Sequence, residues 1–193
     1  MDIETLQHYA EHASELIDAY DTCLPARLYT LIETFFRREG RTLDVGCGSG
    51  RDIAYLEGAG FGADGVDANP GFVEHCKARH PSSTIYHDSL PELNVFEGEG
   101  HYDNLLVCAV LMHLDGAALI EAIANLLRVT KRGGRIVVAI RKGTDPHPES
   151  HRQADGRLYT PIPSGQLISL FESFGGKLLL SEAHQDDTTE GGR

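Results

Sequence analysis

Between Arg41 and Pro70 the chain reads RTLDVGCGSGRDIAYLEGAGFGADGVDANP, and this stretch restricts the folds open to it more than any other. The run "TLDV" at 42–45 is short and apolar with a single acid, the signature of a buried strand. Gly46, Gly48 and Gly50 follow at alternate positions, a helical pattern opens near Arg51 and runs to Glu57, and "ADGVD" at 63–67 reads as a second strand. Strand, glycine turn, helix and strand make a βαβ unit, which requires a parallel sheet. Asp67 closes the second strand 21 residues after Gly46 (67 − 46), where a carboxylate can accept two hydrogen bonds from a ribose diol. The other reading of Asp67 is a helix cap ahead of Pro70 and Gly71.

A glycine turn of this kind can hold a dinucleotide, a nucleoside triphosphate or a nucleoside without phosphate. The dinucleotide pattern GxGxxG needs a third glycine at position 51, which is Arg51, and the phosphate loop needs a Lys-Ser/Thr pair that is absent. What remains is Gly46-x-Gly48-x-Gly50, whose missing Cβ atoms allow a ligand to lie against backbone.

Elsewhere the pattern alternates. One helix is expected across Leu6 to Tyr20 and another from Leu28 to Phe35. After the βαβ unit come a helix at 71–79, strands at 83–87 and 104–110, a helix at 115–129, a strand at 135–140, a helix at 164–174 and a strand "KLLLSEA" at 177–183. Several of these strands are apolar on both faces, so the expected class is α/β, a doubly wound, mostly parallel sheet with helices on both sides. The expected organisation is a single domain over 1–193: an N-terminal helical lid at 1–40, a cofactor-binding core at 41–142, and a substrate-side loop with a C-terminal helix and strand at 143–193. Two loops, 88–103 and 141–163, are long for such units, and long ordered loops at strand ends often carry function.

The formal net charge of −12 disfavours nucleic acid and anionic lipid as partners. Four cysteines without CxxC spacing and a polar N-terminus point to a reduced, cytoplasmic setting. The longest uncharged apolar run, 105–114, is far short of the roughly 20 residues that cross a bilayer.

These residues resemble a known family. "LDVGCGSGRD" is similar to motif I of the class I S-adenosylmethionine-dependent methyltransferases; "GVDANPGFVEHCKAR", "HDSLPEL", "YDNLLVCAVLMHL" and "LLRVTKRGGRIVVAIR" resemble the later motifs in order. The resemblance implies S-adenosylmethionine as cofactor. It places Asp44, Gly46, Cys47 and Gly48 at the methionine portion, Asp67 at the ribose hydroxyls, Ala68 beside the adenine, Asp88 and Ser89 at the adenine amino group, and Cys108 with Val110 beside the sulfonium. It also implies that the first helix, with Tyr9 and Tyr20, folds over the cofactor; the alternative is that both rings pack in the core. The family sheet usually ends in an antiparallel hairpin, but the tail "HQDDTTEGGR" is too polar for a buried last strand, so the chain is either truncated there or completes its sheet otherwise.

Methyl transfer from a sulfonium needs an oriented acceptor and, where the acceptor carries a proton, a base. His113 in "VLMHLDG", just past the fourth strand, is the candidate catalytic base; its alternative role is a structural hydrogen bond. His8 with His12 and His147 with His151 are four apart, but neither pair has an evident set of further ligands, and no metal is expected. The leading expectation is methylation of a small molecule; methylation of a protein or RNA component and a non-catalytic binding module are the alternatives. Oligomeric state and the acceptor atom stay open at this stage.

Overall fold

A computed structural model of the chain describes residues 1–141 and 149–184. Helices α1 (Ile3–Glu11), α2 (Ala13–Asp21) and α3 (Ala26–Phe35) precede a sheet of β1 (Arg41–Val45), β2 (Gly62–Asp67), β3 (Ile85–His87), β4 (Tyr102–Cys108) and β5 (Thr130–Ala139). Helices α4 (Arg51–Gly58), α5 (Pro70–Arg79) and α6 (Gly116–Val129) connect these strands, a 3₁₀ turn spans Leu111–His113, and α7 (Ser164–Ser173) follows β5. Every pairing within this sheet is parallel and the strand order is β3-β2-β1-β4-β5. The chain therefore winds outward from β1 to one edge and returns through β4 to the other, the doubly wound arrangement expected. Ligands in such sheets bind beyond the strand carboxyl ends, where the winding reverses, and here that point lies between β1 and β4.

Alternation along the central strands divides the core. Leu43, Val45, Leu105 and Val107 pack with Leu119, Ile123 and Leu126 of α6 on one face. Leu106 turns the other way, into a cluster with Ile32, Phe36, Ile53, Leu56, Val73 and Cys76. Gly65 in β2 lets α4 approach closely: a Cβ there would stand 2.7 Å from Ile53 Cδ1 and 2.9 Å from Cys47 Sγ. Asn104, fully buried in β4, is paid for locally, donating to Thr42 Oγ1 and the Arg37 carbonyl while accepting from the Arg37 N–H.

Several expectations need correction. The single helix across 6–20 is two, because at His12 the backbone leaves the helical region (φ −113°, ψ 14°) and its ring Nδ1 pairs with the His8 carbonyl. That break separates α1, which joins the 151–160 segment, from α2, which packs on α5. The strand at 83–87 begins only at Ile85, since the Thr84 N–H is taken by Asp64 Oδ1. The strand at 135–140 starts earlier, at Thr130, with an irregularity opposite Tyr102 and Asn104. "KLLLSEA" forms no strand: among the described residues β5 pairs with β4 alone, and Leu178, Leu179 and Leu180 stay 45–55% exposed while an Arg27–Glu182 ion pair ties the segment to α3. His147 and most of the polar tail lie outside the described residues.

Candidate functional site

The turn after β1 is anchored and shaped by its glycines. The N–H groups of Gly46 and Cys47 both donate to the Val66 carbonyl of β2, at 2.8 and 3.2 Å. Gly46 has φ +74°, and a Cβ would meet Val110 Cγ2 at 2.3 Å, so no other residue fits. Gly48, at φ +52°, faces open space except for the Tyr20 ring 3.6 Å from its would-be Cβ. Gly50, at φ +78°, caps α4 and leaves room for His80 Nε2 and Cys76 Sγ, 2.7 and 3.0 Å from a Cβ there.

Three carboxylates line the strand ends. Asp44 is 1% exposed, and its Oδ2 has no hydrogen-bond partner among the described residues. Burial, reinforced by the nearby Asp52 charge, holds its carboxyl well above the usual carboxylate range. Asp52 itself is satisfied, accepting two hydrogen bonds from the Arg51 guanidinium and one from the Tyr29 hydroxyl. That pairing is the local reason for an arginine at position 51.

Asp67 is buried at the end of β2 with Oδ2 accepting from the Gly48 N–H (2.9 Å) and Oδ1 from the Asn69 N–H (2.8 Å). Burial raises its pKa, and the backbone hydrogen bonds oppose the shift. Asn69 caps α5 by accepting from Gly71 N, so Asp67 is not the helix cap. A carboxylate has about four acceptor positions, so the backbone bonds do not use all of those of Asp67. Asp88 is half-buried, and its oxygens accept from Ser89 N and Val95 N, which shapes the loop carrying Ser89. Ala68 borders the same cleft, its carbonyl accepting from His87 Nε2.

At the end of β4 burial pushes the Cys108 thiol up to about 12, leaving it protonated and a poor nucleophile. The expected strand to 110 stops at Cys108 because Ala109 turns into the left-handed region (φ +56°), bonded through its N–H to the Ala139 carbonyl. A non-glycine residue held there is strained, and such strain gathers at ligand sites. The 3₁₀ turn then sets His113, 3% exposed, with Nδ1 2.6 Å from the Leu158 carbonyl and Nε2 3.0 Å from the Tyr9 hydroxyl. Burial lowers its pKa below 6.5.

The far wall comes from α1 and the 151–160 segment, stapled together. Arg152 pairs with both oxygens of Asp2, and Leu158 N–H donates to Thr5 Oγ1 at 2.9 Å. The Tyr9 carbonyl accepts from Asn69 Nδ2, and Thr160 N–H donates to the Met112 carbonyl. Arg157 lies over the rings of Tyr9 and Tyr159, its guanidinium held by Asp155. The Tyr159 ring stands edge-on to His113, centroids 4.9 Å apart. These tyrosines, with Tyr20 above Gly48, close over the strand ends.

The residues expected from the sequence border one cleft of about 2320 Å³, except for Asp44, which is buried in β1 and does not line it; the cleft continues along β5 to 177–184. An open glycine backbone, a buried acid in the strand before it that has no partner among the described residues, and an acid with spare acceptor positions 19 residues past Gly48 suit a nucleoside bearing an ammonium group. Sequence reasoning missed Asn69, Arg157, Leu158 and Tyr159. The last three sit in the long loop that was flagged, but only the fold brings "GRLYT" against His113.

A family model described as tellurite resistance protein TehB matches residues 16–151. An uncharacterized methyltransferase of Synechocystis is 34% identical over 133 residues, covering 69% of this chain and 57% of its own length. A probable S-adenosyl-L-methionine-dependent methyltransferase TehB of Haemophilus influenzae is 24% identical over 152 residues, covering 76% and 51%. The chain thus spans little more than half the length of these relatives. A solved structure of Burkholderia thailandensis 1,6-didemethyltoxoflavin-N1-methyltransferase, holding 1,6-didemethyltoxoflavin and S-adenosylhomocysteine, has the same fold at a TM-score of 0.71 and 18% identity, covering 89% of this chain and 76% of that one.

Proposed function

This chain belongs to the tellurite resistance protein TehB family, and from that premise we propose that it is an S-adenosylmethionine-dependent methyltransferase whose acceptor is a small molecule. The observation that carries the cofactor assignment is the buried Asp44 oxygen, without a hydrogen-bond partner among the described residues, in the strand that leads into the open backbone of Gly48. Bound there, S-adenosylmethionine would supply a methyl group on a sulfonium whose thioether leaves without needing a proton. Asp44 would accept from the amino group, Gly46, Cys47 and Gly48 would border the methionine portion, and Asp67 would take the ribose diol on acceptor positions its backbone bonds leave free. Ala68, Asp88 and Ser89 would flank the base, and Cys108 would lie near the sulfonium as an inert wall.

The protein's own work is then to orient the acceptor, exclude water and receive its proton. The wall of Tyr9, Tyr20, Tyr159 and His113 supports a compact acceptor over a protein or RNA, because α1 and 151–160 close over the strand ends. A second reading, a chalcogen oxyanion as the family's description suggests, is favoured by the Arg157 guanidinium in that wall, though its pairing with Asp155 offsets the charge. Incubation with methyl-labelled cofactor and either a cell's small-molecule fraction or tellurite tests both. Label in nuclease- or protease-sensitive material would overturn the small-molecule reading.

A further inference from the structure

The hydrogen bonds around His113 have a direction. A carbonyl oxygen cannot donate, so the 2.6 Å contact with Leu158 places the neutral imidazole's proton on Nδ1 and leaves Nε2 an acceptor. The only group the contact at Nε2 can then draw a proton from is the Tyr9 hydroxyl, 3.0 Å away. Tyr9 Oη in turn offers lone pairs: Arg157 Nη1 donates to it weakly at 3.3 Å, and the Tyr20 side chain is a neighbour. Both residues border the cleft, but His113 is 3% exposed while Tyr9 is only half-buried, so the tyrosine is the more accessible of the pair to a group in the cleft.

Resting on the methyltransferase reading, we propose that Tyr9 is the catalytic residue that receives the acceptor's proton and that His113 is the positioning residue behind it, holding the Tyr9 hydroxyl proton. The acceptor's X–H bond breaks and its proton goes to Tyr9 Oη as the Tyr9 proton passes to His113 Nε2. The freed electron pair on X forms the bond to the methyl carbon, and the S–C electron pair stays on sulfur. His113, now an imidazolium bonded to Leu158 O, returns the extra proton to solvent. Two features support this division of labour. Arg157 lies against the Tyr9 ring and oxygen; burial raises the phenol's pKa, and the guanidinium opposes that shift, easing passage of the Tyr9 proton to His113. Tyr9 is itself locked by its carbonyl to Asn69, the residue that caps α5 beside Asp67, so its position is tied to the cofactor side of the cleft.

The first test needs no turnover. In ¹⁵N-histidine-labelled protein saturated with S-adenosylhomocysteine, long-range ¹⁵N–¹H spectra at pH 7.5 should show His113 protonated on Nδ1 and bare on Nε2; the opposite tautomer overturns the proposal whatever the acceptor. The second compares Tyr9→Phe with the wild type using two probes of the methyl donor, a thiol (2-mercaptoethanol) that carries a proton and iodide that carries none. Transfer to the thiol should fall ten-fold or more in Tyr9→Phe with the KM for the methyl donor little changed, while transfer to iodide stays within two-fold. His113→Gln should lower thiol transfer as well, and adding it to Tyr9→Phe should cost little more. Equal losses with both probes reduce Tyr9 to a structural contact and overturn the proposal, as does an unchanged thiol rate. Failure of the protein to bind S-adenosylhomocysteine at all is instead a failure of the methyltransferase reading, recognised separately by calorimetry.

Discussion

Replacing Asp44 with asparagine should make the ligand-free protein more stable and the cofactor complex weaker, two effects that rarely come together. The carboxyl is 1% exposed, Oδ2 lacks a partner among the described residues, and the Asp52 charge adds repulsion. Asparagine keeps the shape and removes the charge. The amide atom there still lacks a partner, so the gain comes from removing the buried charge and its repulsion with Asp52, about 1–3 kcal/mol. The sign follows from the raised pKa: the folded protein binds this proton more tightly than the unfolded chain, so its contribution is complete below the unfolded value of 3.8 and is lost as pH rises through the folded value. The stability gap between Asp44→Asn and wild type should therefore narrow as pH is lowered from neutrality. In the complex the variant forfeits a charge-assisted hydrogen bond to the ammonium, about 1.5–3 kcal/mol or roughly ten- to 150-fold in affinity. Urea unfolding at several pH values without ligand, together with calorimetry of S-adenosylhomocysteine, reads both effects. A variant that is less stable than wild type and binds with unchanged affinity would refute the reasoning.

Other outcomes follow from the same geometry. Asp67→Asn should lose about 1–3 kcal/mol of stability in urea unfolding, because an amide NH₂ would face Gly48 N–H or Asn69 N–H where each now has an acceptor; equal midpoints would refute this. Gly50→Ala should also destabilise by about 1–3 kcal/mol, since it must hold φ +78° with a Cβ pressed on His80 Nε2 and Cys76 Sγ, and a thermal melt within experimental error of wild type would contradict it. His113, whose pKa is lowered by burial, binds its proton less readily folded than unfolded, so it contributes stability above 6.5 that drains away as pH falls toward its folded value. The slope of unfolding free energy between pH 7 and 5 should be shallower in His113→Gln.

The sheet was legible because its strands carry the marks of two-sided burial and because the glycine spacing ties β1 to α4 and β2. Asp44 and Asp67 were legible for the same reason: strand ends are local, and their offset from Gly46 is set by the βαβ unit. What escaped was tertiary. "KLLLSEA" has the composition of a strand, but strand formation needs a neighbour's backbone, and β5 does not reach it. The Leu6–Tyr20 periodicity is continuous, yet the side-chain bond from His12 to the His8 carbonyl diverts the backbone, which no hydrophobic pattern records. His113 was found as a residue, but its proton's position depends on Leu158, 45 residues on (158 − 113), and on Tyr9 from the opposite end of the chain.

The account stands most directly on what fills the glycine turn. Calorimetry of the purified protein should show S-adenosylmethionine and S-adenosylhomocysteine binding in the micromolar range, with no heat from NAD or ATP at the same concentrations. Tight NAD or ATP binding with none for the sulfonium nucleoside would contradict it.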